Sequence, residues 1–248
     1  MKKVRHIVFE MMLLSTCTVV SAEEADKKSI LDAENFSANI TLTTNYIFHG
    51  ETQSNDKPAI QGGFDWAYDA FYLGVWGSNV DFQSGDSVEI DYYGGFTGEI
   101  DSFDYDLGLS YYTYPGANDE GFEFDYFEFI TSISYTFDSP YEPSTYVLLG
   151  YSPEFFGEEG TGVNVEGGLS FTFGNFGVDA AIGNQWIDGD FSGANIEWLY
   201  YNIGVTTSAI GFDLDLRFHA ARENGIDWLA NDDFPNDEFI NFSITRNF

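Results

Sequence analysis

His49 and His219 are the only histidines beyond residue 22 of this 248-residue chain. Asp213, Asp215, Arg217 and His219 stand two apart, which on a strand places them on one face. A His–Asp pair at one rim could hydrolyse a lipid or a peptide bond. No nucleophile motif accompanies either histidine, so ordinary rim residues are the simpler reading and the chain is expected not to be an enzyme. Asp188-Gly189-Asp190-Phe191-Ser192-Gly193 begins like a calcium loop, but Leu199 stands at the twelfth place, where a bidentate acid is required. That leaves an acidic loop with weak surface calcium binding at most. Glu154, Glu158 and Glu159, and also Asp232 and Asp233, form similar clusters; they suit divalent ions bridging to lipopolysaccharide, or solubility alone. No zinc spacing and no phosphate-binding glycine loop occurs, so neither metal nor cofactor is expected. Trp66, Trp76, Trp186, Trp198 and Trp228 fit interface anchors better than a sugar platform.

The elements that must position these residues are strands. From residue 36 the chain reads as about twelve short segments in which apolar and polar residues alternate. Ile40, Leu42 and Thr44 oppose Asn39, Thr41 and Thr43; Phe103, Tyr105, Leu107 and Leu109 oppose Asp104 and Asp106. The segments fall near 36–48, 59–68, 71–80, 88–100, 103–114, 122–137, 144–152, 163–173, 176–187, 196–206, 212–220 and 239–248. A phase slip near Tyr126-Phe127 implies a bulge. Tight connections near 69–70, 101–102, 138–143, 174–175 and 207–211 interleave with longer ones near 49–58, 81–87, 115–121, 153–162, 188–195 and 221–238. Short turns on one side and long loops on the other define an all-β, antiparallel up-and-down transmembrane barrel. Ten or fourteen strands remain open alternatives.

A soluble sandwich also alternates. Connection parity argues for the membrane, as do aromatics near strand ends (Tyr46, Phe48, Tyr68, Phe71, Phe103, Tyr111 and Phe176), which suit interfacial girdles. A third argument is the last strand, where Ile240, Phe242, Ile244 and the terminal Phe248 share one face. That ending is similar to the assembly signature of bacterial outer-membrane barrels. Arg246 departs from it and would face outward near the periplasmic rim.

The address agrees. Lys2, Lys3 and Arg5 precede an apolar stretch, 7–20, interrupted by Glu10, and Val20-Ser21-Ala22 offers small residues for cleavage. We read 1–22 as a signal peptide, 23–35 as a periplasmic lead-in and 36–248 as the barrel. Cys17, the one cysteine, lies in the signal; Thr16 fits a lipoprotein site poorly. Removing 1–22 leaves 6 Lys+Arg and 40 Asp+Glu from totals of 9 and 41. Such a charge excludes nucleic acid as a partner and favours cations.

With the apolar faces toward lipid, the lumen receives Asp65, Glu89, Asp91, Asp104, Asp106, Glu166, Asp179, Asp213 and Asp215, with Arg217 as the one clear basic partner. So many carboxylates cannot stay ionised in a dry core. A narrow wet lumen follows, since about twelve strands lies between filled barrels and open channels.

Several stretches resemble the TorF-family porins of proteobacteria. They are Leu42-Thr43-Thr44-Asn45-Tyr46-Ile47-Phe48-His49-Gly50, Pro58-Ala59-Ile60-Gln61-Gly62-Gly63-Phe64-Asp65, Trp76-Gly77-Ser78-Asn79-Val80-Asp81-Phe82, Glu89-Ile90-Asp91-Tyr92-Tyr93-Gly94-Gly95, Tyr111-Tyr112-Thr113-Tyr114-Pro115-Gly116 and Tyr151-Ser152-Pro153-Glu154-Phe155-Phe156-Gly157. The resemblance spans nearly all of 23–248 and implies an outer-membrane barrel; His49 stands where that family more often has Arg. The expected function is passive, cation-preferring diffusion of small hydrophilic solutes through the bacterial outer membrane. Expected partners are outer-membrane lipid, lipopolysaccharide, the barrel-assembly machinery and the solutes themselves. The alternative is a non-conducting barrel whose acidic loops serve adhesion or envelope stability.

Overall fold

The computed structural model describes residues 29–82, 87–117, 124–156, 160–189, 195–223 and 238–248. Residues 1–22, expected as a signal peptide and containing Cys17, lie outside the described residues, as do Glu158, Glu159, 190–194, Trp228, Asp232 and Asp233. Alternation of outward apolar and inward polar residues builds β1 (Phe36–Thr43), β4 (Ala59–Tyr68), β5 (Phe71–Asn79), β6 (Val88–Ile100), β7 (Phe103–Thr113), β8 (Tyr126–Thr136) and β9 (Ser144–Ser152). It continues through β10 (Thr161–Phe173), β11 (Phe176–Asp188), β12 (Asn195–Ala209), β13 (Phe212–Glu223) and β14 (Glu238–Asn247). These twelve strands pair antiparallel with their chain neighbours and close as one barrel, β1 meeting both β4 and β14. Two further short strands, β2 (Ile47–Phe48) and β3 (Glu51–Thr52), form a separate hairpin inside the first long connection.

The outer surface is apolar. Leu42, Phe64, Leu73, Phe96, Leu107, Phe129, Leu169, Ile182, Ile203 and Leu216 are all exposed. An outward-facing apolar band is stable only against hydrocarbon, and closure leaves no unpaired sheet edge there. The predicted girdle holds at Phe71, Phe103 and Phe176, which are exposed at the turn-side ends of their strands.

Four expectations need correction. The first strand ends at Thr43, not 48. Beyond it the chain turns inward, so Tyr46 is buried inside, edge-on to Trp76 at 5.5 Å, and is not a girdle residue. Phe48 likewise packs against Tyr112. The bulge near Tyr126 is absent: pairing runs unbroken from Tyr112↔Tyr126 to Phe103↔Tyr135. Adjacent aromatics arise because Tyr126 points in and Phe127 points out. Trp76 and Trp198 also sit in the interior packing rather than as interface anchors.

Tight turns sit where expected. Asp69 and Asp101 take positive φ at the 69–70 and 101–102 turns, a conformation that short polar side chains tolerate. The β12–β13 turn is different, with Ile210 at φ 50 and Gly211 at φ 83. Glycine meets that demand without a Cβ clash; a β-branched residue does not. Arg246 covers this turn, donating to the Gly211 carbonyl and lying over the rings of Phe212 and Phe248. Ile210→Asn should therefore raise stability by roughly 1 kcal/mol, read as a shift of the urea midpoint of the barrel in lipid vesicles.

Candidate functional site

The site is the barrel interior. All ten residues expected there face inward by strand parity, and the structure sorts them into local groups. Arg217 on β13 is almost wholly buried; its Nη1 donates to Asp179 Oδ1 at 2.5 Å and its Nη2 to Asp215 Oδ2 at 2.9 Å. Nη1 also reaches Asn202 Oδ1 at 2.8 Å. Asp65 accepts from the Tyr93 hydroxyl, Asp106 from Tyr72 at 2.9 Å and Glu166 from Tyr146 at 2.5 Å. Glu89 and Asp91 lie two residues apart on β6, fully buried. Asp104 and Asp213 lie near the tight turns, where Asp213 accepts from Ser208 and Asn247.

Tyrosines make this packing possible. On the inner face a large side chain repeatedly pairs with a glycine on the next strand: Tyr93 with Gly74, Tyr72 with Gly95, Tyr146 with Gly168, Tyr200 with Gly183. Each ring lies where the glycine's Cβ would be, at 2.2–2.5 Å from that position. The rings lie against the wall; the Tyr93 and Tyr72 hydroxyls reach over the intervening strand to Asp65 and Asp106, and that of Tyr146 reaches Glu166 on the adjacent strand.

The long-loop end is filled. Tyr46, Trp76, Tyr112, Tyr114, Tyr126, Phe155 and Ile187 pack together, joined by Phe48, Phe82, Phe124, Phe156 and Trp198. The β2–β3 hairpin reaches inward against β12 and β13. His49 stacks on Tyr200 at 5.1 Å, and Trp198 Nε1 donates to the His49 carbonyl at 2.8 Å. Gly50, at φ 82, has no room for a side chain, because a Cβ would sit 2.7 Å from that of Tyr200. Burial pushes the His49 imidazole down to about 3, against a hydrogen bond with Gln185, so the ring is neutral at physiological pH.

The hydrated interior expected from the sequence is therefore corrected at this end. Glu89 and Asp91 are 0% exposed and Glu128 2%. The acids are inward but dry, because tyrosine rings and the hairpin occupy the space between the walls. Glu128 was missed by sequence reasoning; it accepts from Tyr112 at 3.0 Å. The assumed bulge hid it, and starting the strand at Tyr126 would have revealed it between Phe127 and Phe129.

His49 Nδ1 and His219 Nε2 are buried without a hydrogen-bond partner among the described residues. Nor do three His, Cys, Asp or Glu side chains converge anywhere as a metal set among those residues.

A closed antiparallel barrel with an apolar exterior and an acidic interior defines a barrel of the outer-membrane type. The chain belongs to the family described as "Bacterial protein of unknown function (Gcw_chp)", whose model matches residues 28–242. No curated protein sequence matches it. Among solved structures, the NanC porin is similar with a TM-score of 0.51 at 6% identity, over 84% of this chain and 97% of that one. LpxR from Salmonella typhimurium gives 0.49 at 10% identity, over 86% and 99%. A double variant of OccD1 (OprD) gives 0.47 at 12% identity, over 87% of this chain and 66% of that one. The NanC likeness fixes the fold.

Proposed function

We propose that this barrel sits in the bacterial outer membrane and passes small hydrophilic solutes, with a preference for cations. The observation that carries this reading is the inward charge. Arg217 is committed to Asp179 and Asp215, while Asp104, Asp106 and Asp213, inward and not fully buried, lie outside the dry long-loop end. Such an excess of fixed negative charge raises the local cation concentration and repels anions. The aromatic packing at the long-loop end sets the size limit. We assign no catalytic role to any residue.

The outer face meets lipid and lipopolysaccharide. An apolar groove of about 1200 Å³ along β5–β9, between Phe71, Phe96, Leu107, Phe127 and Tyr151, suits acyl chains. The outward face of β14, ending in Phe248, is the element we expect the assembly machinery to read.

A second reading is a non-conducting barrel with acidic loops for adhesion or envelope stability, and the filled long-loop end favours it. Planar-bilayer recording under a salt gradient separates the two. Discrete steps with a reversal potential on the cation side are expected, and replacing 47–52 by a short glycine-serine link should enlarge the step severalfold. Anion preference would remove the carboxylate argument. Silence from both the parent and the shortened chain would leave the second reading.

A further inference from the structure

Asp91 is the least satisfied carboxylate of the interior among the described residues. It is 0% exposed, and both of its carboxylate oxygens lack a hydrogen-bond partner among the described residues. Glu89, also 0% exposed, has an unpartnered Oε2. Strand rise puts their Cα atoms about 7 Å apart on one face. Asp65, Glu128 and Glu166 each accept a tyrosine donor, and so does one oxygen of Glu89, which leaves Asp91 as the exception. A buried carboxylate with nothing to neutralise it is costly, and a bound cation removes that cost.

The surroundings supply oxygen and nothing softer. Tyr114 Oη lies 3.4 Å from Glu89 Oε1, and Tyr46 also hydrogen-bonds Glu89. Trp76 and Tyr112 are the cross-strand neighbours of Asp91. Among the described residues no histidine or cysteine joins them as a further ligand, so the chemistry is that of a hard cation. Two carboxylates match one divalent ion, whereas a monovalent ion would leave a charge uncompensated. Magnesium sheds its water reluctantly, and this pocket leaves no water-sized access to the acids.

We propose that Glu89 and Asp91 bind a calcium-like divalent cation inside the long-loop end of the barrel, with the hydroxyls of Tyr46 and Tyr114 as neutral oxygen donors. The site does not depend on the barrel conducting: a silent bilayer would leave it standing. A bound ion here would tie β6 to the first long connection through Tyr46, making the filled end firmer when calcium is present.

The test uses the full-length protein folded in detergent. Equilibrium binding of radioactive calcium is measured at neutral pH in excess magnesium, alongside thermal unfolding with calcium or with chelator. Saturable binding is expected, with a calcium-dependent rise in melting temperature. Asp91→Asn and Glu89→Gln should each weaken binding at least about tenfold, the scale of losing one charged oxygen ligand. Asp138→Asn, in an exposed turn between β8 and β9, should bind as the parent does. In chelator, Asp91→Asn should melt no lower than the parent, because the uncompensated charge is gone. Absence of calcium binding at millimolar concentration would overturn the proposal, as would parent-like affinity in both Asp91→Asn and Glu89→Gln. Should one variant fail to fold, binding by the other decides the matter alone.

Discussion

Arg217→Met is expected to cost the barrel about 3 kcal/mol, toward the lower end of the range for breaking a buried ion pair. The guanidinium is 1% exposed, and it holds Asp179, Asp215 and Asn202 together. Methionine fills part of the space and leaves two carboxylates facing each other. These acids keep 22% and 20% exposure, so water offsets part of the loss. Lysine at this position should rescue only partly, because its single ammonium cannot span both carboxylates in the fork geometry of arginine. Methionine combined with Asp179→Asn and Asp215→Asn should recover most of the stability, since the repulsion then disappears. Urea titration of each variant in lipid vesicles reads the outcome; a triple variant no better than the single one would show that packing over Gly204, and not charge, is what Arg217 supplies.

Ile203→Arg should cost about 2–4 kcal/mol, the penalty for a cation facing lipid at mid-bilayer. Ile203 lies near the centre of β12 and is 53% exposed on the outer surface. Thr206→Arg makes the complementary case. It adds the same charge on the inner face of the same strand, close to Asp215, and should be far better tolerated. Folding yield into vesicles and the urea midpoint would measure both. Equal penalties would mean that the outer face is not in hydrocarbon, and the membrane assignment would fall with it.

Much of the fold was legible because a period of two is a direct physical consequence of strand geometry. Asp69, Asp101 and the Gly174-Asn175 pair marked turns that the structure places as expected. The inward acids followed from the same parity. What parity cannot reveal is the content of the space between the walls. Tyrosine fits a lipid interface and a polar interior equally well, so Tyr46 looked like a girdle residue until the chain was seen to turn inward after Thr43. The hairpin at 47–52 has two residues per strand, too few to register as alternation. Glu128 was concealed by a phase error rather than by weak signal. Glycines opposite tyrosines carried the missing information, yet only the strand register shows that they are partners.

The ring of strands is not equally laced all the way round. β10–β11 and β11–β12 each hold thirteen paired positions, whereas β1–β14 holds five, Asn39–Thr43 against Ser243–Asn247. Side chains reinforce that seam, with Thr41 bonded to Thr245 and Thr43 to Asn241. Cooperative unfolding proceeds from the least protected segment. The two ends of the chain thus form the barrel's natural zipper: the last edge to fasten during assembly and the first to part under stress.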